Sequence, residues 1–399
     1  MSERLWTRDF VLAFVINLLM SMPFYLLMTS MAAYAAQRFH AGDALAGFAS
    51  SAFIVGAVIA RVLAGKYLDF IGRRRSIVAA LAVFVLASLA YIPAGSMGLL
   101  LAIRLVHGIA FGFGNTALNA SVQSLIPAAR RGEGTGYFGT SSSLATALGP
   151  FLAVFLSSHF GFGWVFGACE AFALLGLGCA LALRLPERTP EPDEVRAKWR
   201  LELGTLIDAR SAPVSFAMFL AGMAYSVVLT FLAGYAGAMG APGAASLFFV
   251  VFAVGMLASR LFVGRLQDVY GDNAVAYPIF AAYALGIALV AWAPGPWAIV
   301  VAALPMGVGF GSLLPVVQAI VVKLVTPARV GVAVATFFIL LDVGTGIGPV
   351  VLGGLQPALG AGGMYWAAAG LVVLAAGVYW WAHGRGPRGR RGYGRSAQA

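Results

Sequence analysis

The sequence predicts an all-α integral membrane protein: twelve transmembrane helices arranged as two six-helix, pseudo-symmetric halves. Three observations predict it. The composition is too apolar for water, the apolar residues fall into twelve runs of spanning length, and the first half matches the second at a constant offset of 199 residues. Of the 399 residues, 61% are hydrophobic and 10% charged, with a mean hydropathy of +0.89. Soluble domains carry about 45–50% apolar and about 25% charged residues, so a soluble enzyme is excluded. Because a span takes about 20 apolar residues, twelve of them leave only loops, a linker and a tail. A separate catalytic domain has no room.

The runs are 10 to 34, 44 to 65, 76 to 93, 97 to 124, 133 to 158 and 162 to 184, then 213 to 236, 244 to 264, 274 to 293, 297 to 324, 330 to 357 and 362 to 382. The first reads as a retained helix rather than a cleaved leader, because it runs to about 25 residues and holds Asn17 and Pro23. Glycines and prolines inside the runs fit membrane helices, where small residues let backbones approach and neighbours satisfy freed carbonyls. The expected domains are residues 1–184 and 213–383, each a six-helix bundle. A cytoplasmic linker, 185–212, holds Pro186, Pro190 and Pro192, and 384–399 form a basic tail.

Charge sets the expected orientation. With the amino terminus inside, Arg4 and Arg8, Lys66 and Arg73 to Arg75, Arg130 and Arg131, Arg260 and Arg265, Lys323 and Arg329, the linker and the tail arginines all fall at cytoplasmic ends or loops. The net charge of +11 is therefore a sidedness signal. The tail has no specific ligand and no nucleic-acid partner is expected. Seven of the eight tryptophans fall at predicted helix ends, where interfacial side chains belong. Cys169 and Cys179 share one helix about 15 Å apart, so they do not pair, and no metal-ligand spacing occurs.

The repeat is specific. ARVLAGKYLDFIG at 60 to 72 matches SRLFVGRLQDVYG at 259 to 271, and the same offset aligns Gly108, Phe111 and Gly112 with Gly307, Phe310 and Gly311. It also aligns Arg130 and Gly132 with Arg329 and Gly331, and Gly149-Pro150 with Gly348-Pro349. A parallel duplication of six spans is the layout in which two halves alternate access to a site near the midplane.

GKYLDFIGRRR resembles motif A of the major facilitator superfamily, with Gly65, Asp69, Gly72, Arg73 and Arg74 in its positions and an echo at Gly264, Asp268 and Gly271. Arg104 and Gly108 resemble motif B, with His107 where the family often has glutamine, and ATALGP at 145 to 150 resembles motif C of drug and metabolite antiporters. The chain departs from the pattern in having Phe70 after Asp69 and Ala153 and Val154 in place of the later glycines of motif C. The resemblance implies a secondary transporter in which Asp69 latches one access state. TGYFGTSSSLATALGP and MAYSVVLTFLAGYA also resemble the branch that includes metallophore and sugar exporters.

Polar residues inside apolar helices are the candidates for chemistry, because ionisable groups there are costly. Arg104, with His107 on the edge of its stripe, Glu170 as its structural partner and Asp342 near the midplane form the expected ion-pair and proton-coupling set. Helical spacing joins Arg104, Gly108, Phe111, Asn115 and Asn119. The expected cavity surface comprises Asn17, Ser21, Phe24, Asn115, Asn119, Ser142, Tyr225, Ser226 and Gln318.

GVGFG and GTGIG lie inside apolar helices and read as packing glycines, and no phosphate loop accompanies Lys66. The reading is proton-coupled export of a drug or metabolite, with no cofactor beyond the proton gradient, by a monomer in the cell (inner) membrane with both termini cytoplasmic. An uptake symporter and a non-transporting receptor are the alternatives.

Overall fold

A computed structural model describes residues 4–127, 131–186, 207–326 and 329–386. These form twelve long helices with no strand among the described residues. The first six are α1 (Arg8–Phe39), α2 (Asp43–Ile71), α3 (Arg73–Leu89), α4 (Met97–Leu125), α5 (Arg131–His159) and α6 (Phe162–Ala182). The next are α7 (Ala212–Ala238), α8 (Pro242–Tyr270), α9 (Asp272–Trp292), α10 (Pro296–Lys323), α11 (Val330–Gly353) and α12 (Gln356–Tyr379), followed by a π-turn at Trp380–Gly384. Eleven are long and apolar enough to cross a membrane. The exception, α3, has 17 residues and begins with three arginines; at about 26 Å it sits at the short limit for a span.

Local chemistry sets the ends. The Thr7 hydroxyl accepts from the Phe10 amide at 3.2 Å and the Ser96 hydroxyl from the Leu99 amide at 3.3 Å, capping α1 and α4. Helices α2 and α8 each run six residues past the expected ends at 65 and 264, because the charged stretch after the apolar run stays helical. Both stop at a glycine in left-handed backbone, Gly72 with φ 96° and Gly271 with φ 90°. A side chain is disfavoured in that conformation, and the two glycines are 199 residues apart. Helix α11 ends at Gly353, short of the expected 357, and Gly360 (φ 70°) breaks the first turn of α12.

Contacts divide the chain into two units, residues 1–41 with 49–201, and 42–48 with 202–399. Inside the first, α1 packs on α4, α5 and α6, and α3 packs on α4 and α6. Inside the second, α7 packs on α10, α11 and α12, and α9 on α10 and α12. The two pairing schemes are the same under the repeat.

The glycines explain how the helices come so close. A methyl on Gly108 would strike the Phe53 backbone and one on Gly307 the Phe252 backbone, while Gly56 lies against Leu105 and Gly255 against Leu304. Each partner also shifts by 199 residues, so the α2–α4 and α8–α10 crossings are one crossing used twice. The Gly-Pro pairs make a second crossing. Gly149 meets Met22 and Tyr25 of α1, and Gly348 meets Met223 and Ser226 of α7, with Pro150 and Pro349 inside their helices.

Candidate functional site

In the first unit, two polar layers lie along α4. The layer at its Met97 end holds Arg104 and His107, both fully buried. Arg104 donates from Nε to the Ala49 carbonyl at 2.8 Å and from Nη2 to the Ser50 carbonyl, and its guanidinium lies 5.0 Å from the centre of the Phe53 ring. His107 shares a 3.0 Å hydrogen bond with the Tyr91 hydroxyl through Nδ1 and packs on Phe84 at 4.0 Å between centroids. Among the described residues no ion pair joins Glu170 to Arg104, so the expected partnership does not appear there. Glu170 instead neighbours Ser88 of α3. Backbone carbonyls of the adjacent helix take the Nε and Nη2 donors of Arg104.

The second layer lies about 16 Å further along α4, eleven residues on. Asn115 is its hub. Its amide donates to Asn17 Oδ1 of α1 at 2.8 Å, and its carbonyl oxygen accepts from Arg61 Nη1 of α2 at 3.3 Å. Asn17 in turn donates to the hydroxyls of Ser141 at 2.7 Å and Ser142 at 2.9 Å on α5. Four helices are thus tied by side chains inside their spanning segments. Asn119 donates to the Asn115 backbone carbonyl and is exposed, and Ser21 lies buried one turn from Asn17. Between the layers sits an aromatic floor. Phe24 stacks on Phe111 at 5.5 Å, Phe53 lies 5.4 Å from Phe24, and the Arg61 guanidinium is 6.0 Å from the Phe111 centroid.

In the second unit Ser312 donates to Ser259 at 2.7 Å between α10 and α8. Tyr225 is buried and stacks on Phe310 at 3.9 Å and on Phe252 at 5.7 Å. Ser226 was expected to face a cavity but belongs to the α7–α11 contact, bonding its own helix at Met223 O (2.8 Å) beneath Gly348. Gln318 and Asp342 are half-buried on α10 and α11, and Tyr283 donates to the Ala221 carbonyl at 2.9 Å.

The motif A stretch forms the ends of α2 and α3. Arg73 is the first residue of α3, and Arg74 donates to the Leu183 carbonyl at 3.0 Å and the Leu181 carbonyl at 2.9 Å, holding the end of α6. The side chain of Asp69 and the surroundings of Gly65 lie outside the described residues, as do Arg130, 187–206 of the linker and 387–399 of the tail. In the second unit Asp268 is exposed and a methyl on Gly264 would meet nothing within 4 Å.

Two charged clusters close the second unit. Asp272 accepts from Lys323 at 3.0 Å and Gln267 at 2.8 Å, and pairs with His383 at 3.0 Å. Asp208 accepts from Arg329 at 2.7 Å and from the Arg210 and Ser211 amides at 3.0 Å each, capping the approach to α7. Burial pushes the Asp208 carboxyl up, but the bonds from Arg329, Ser211 and Arg210 outweigh it and hold the group below the usual carboxylate range.

With this geometry in hand, comparison with known proteins is decisive for the family. The sequence matches the Major Facilitator Superfamily over residues 13–242 and 214–397. The chain belongs to the major facilitator superfamily. Among its relatives are the uncharacterized MFS-type transporter YhhS of Escherichia coli strain K12 and that of Shigella flexneri, each 28% identical over 348 residues, covering 84% of this chain and 82% of the relative. The fold is that of solved transporters. A POT family transporter bound to a thioalcohol-conjugated peptide gives a TM-score of 0.77 at 13% identity, covering 94% of this chain and 96% of the other. The nucleoside transporter NupG gives 0.71 at 13%, covering 94% and 99%. The protein is therefore a multi-pass membrane transporter of this superfamily and not an enzyme.

Within this superfamily member, sequence reading missed Arg61 and the Asp272–His383 pair. Arg61 had a usable signal, since it opens the repeated stretch with Arg260 at the same offset. Arg260 itself was expected at a cytoplasmic end. With α8 continuing to Tyr270, it lies ten residues, about 15 Å, before that end.

Proposed function

We propose that this chain exports a small organic solute, a drug or metabolite, in exchange for protons by alternating access. The carrying observation is the hydrogen-bonded layer of Asn17, Asn115, Ser141, Ser142 and Arg61 beside the Phe24–Phe111 stack, inside spanning helices. A polar layer against an aromatic surface suits an amphipathic solute better than a bare ion. A protonatable acid is also needed inside the span, and Asp342 on α11 is the residue assigned to it. Glu170, on α6, is given a structural role next to Ser88, and Arg104 and His107 one of fixing α2, α3 and α4. The proton gradient is the energy source with no other cofactor, the working unit is a monomer, and both termini face the cytoplasm of the inner membrane. Motif A, through Asp69 and Arg73, latches one access state.

Full-length protein in liposomes loaded with a pH-sensitive dye separates exchange from symport by sign. Adding a transported solute outside at equal pH alkalinises the lumen in exchange and acidifies it in symport. Exchange that vanishes in Asp342→Asn supports the assignment; proton movement untouched by that change removes Asp342 from the mechanism. An acidified lumen overturns export.

A further inference from the structure

Each unit ties the helix that follows a glycine turn to the end of its own sixth helix. Arg74, the second residue of α3, donates to the Leu181 and Leu183 carbonyls at the end of α6. Asn273, at the same place on α9, donates to the Gly384 carbonyl after α12 at 2.7 Å. The charges set on this shared frame differ. In the second unit Asp272 supplies a carboxylate, which takes Lys323 and His383, each at 3.0 Å. One repeat length earlier, the residue at the place of Asp272 is Arg73, that of His383 is Arg184, and that of Ile207 is Arg8.

The first unit has a cavity at this corner. It measures about 500 Å³ and is lined by Arg8 of α1, Arg74 of α3, and Leu181, Ala182, Arg184 and Leu185 at the end of α6. Guanidinium groups from three separate elements thus line one space. Arg184 is placed by its backbone, whose amide donates to Asp9 Oδ1 at 3.0 Å, so the acid in the first turn of α1 is engaged with the main chain. Among the described residues neither Arg8 nor Arg184 has an ion pair, and both are exposed. Arg74, held by the two carbonyls, forms a fixed wall. The counterpart corner carries its own carboxylate; this one has arginine in that place and leaves room, an arrangement that takes its anion from outside the chain. Arginine forks suit the oxygens of a phosphate above all. Leu174 and Leu181, both exposed and two turns apart, run an apolar stripe from the cavity along the outside of α6.

We infer that this corner binds a phosphate group, gripped by Arg8 and Arg184 against the wall of Arg74, and that the phosphate is the headgroup of an anionic membrane lipid. Basic pockets at the ends of membrane helices recognise such headgroups, and the leucine stripe receives the acyl chain. The lipid clasps the beginnings of α1 and α3 to the end of α6. The site is separate from the polar layer on α4 and does not depend on the transport reading.

The test is native mass spectrometry of delipidated full-length protein in neutral detergent, titrated with short-chain phosphatidylglycerol, phosphatidylcholine of the same chains, or inorganic phosphate. The parent retains one phosphatidylglycerol in preference to phosphatidylcholine. Its apparent Kd rises roughly tenfold in Arg184→Gln and in Arg8→Gln, the scale of one lost charge-assisted hydrogen bond. It is unchanged in Arg210→Gln, which removes an exposed arginine of the second unit. Arg184→Lys keeps the charge but not the fork and recovers part of the affinity, which a misfolded variant does not. Binding of inorganic phosphate with the same dependence on Arg8 and Arg184, without retention of phosphatidylglycerol, supports the phosphate site and overturns the lipid as its source. Equal retention of the two lipids, an undiminished affinity in both glutamine variants, an equal loss in Arg210→Gln, or no binding of either phosphatidylglycerol or phosphate overturns the inference.

Discussion

Two buried charges show what a single residue does in this protein and how each can be checked. Arg104 is fully enclosed and bridges α4 to the Ala49 and Ser50 carbonyls of α2. Truncating so large a buried side chain leaves a cavity, so Arg104→Ala lowers stability by about 2–5 kcal/mol, read as a lowered thermal transition in detergent. Asp208 behaves differently because it titrates. Its carboxyl is held below the usual range in the folded chain, so its bonds with Arg329 and the Arg210 and Ser211 amides stabilise the fold above the ordinary carboxylate pKa of about 4. That contribution is lost as pH falls through the folded-state value. Asp208→Asn should therefore be less stable than the parent at neutral pH, with the gap closing in acid; a gap that widens in acid would contradict the ion pair. Asn17, Asn115 and Ser142 were legible in the sequence because amides and hydroxyls stand out in apolar helices. Arg61, though inside the expected run, was not singled out because it lay four residues from the expected end at 65, whereas α2 continues to Ile71 and places it ten residues from the end.

At the scale of the element, most of the fold was readable. Every expected run corresponds to a helix, and the errors are at the ends, where capping and glycine decide rather than apolarity. The repeated crossings give the sharpest test. Gly108→Ala and Gly307→Ala each place a methyl against helix backbone, and overpacking of that kind costs about 1–3 kcal/mol. Both should lower the thermal transition, whereas Gly167→Ala and Gly370→Ala, which meet nothing within 4 Å, should not. Equal effects at all four would mean the crossings are not set by glycine. Gly72→Ala and Gly271→Ala test the turns instead, since a left-handed backbone costs a non-glycine residue about 1–2 kcal/mol.

For the whole molecule, the duplication explains both what was legible and what was not. A shared offset gave the pairing of helices, because helix packing follows the positions of small residues. It did not give the polar layer, because the two copies have diverged there: Asn115 faces Leu314 in the alignment, and Ser143 faces Asp342. Divergence of this kind is invisible to pattern and appears only when the side chains are seen to bond to one another. It also means that the polar layer of the first unit, rather than the duplicated frame, carries the transport claim. Leucine is already accommodated at the equivalent place on α10, so Asn115→Leu removes the hub of that layer with the least disturbance of packing. The most direct measurement is the initial rate of solute-evoked proton movement for Asn115→Leu in liposomes, at matched amounts of folded protein. A fall of about tenfold or more, the scale of one lost charge-assisted hydrogen bond, is predicted; an undiminished rate would contradict the account.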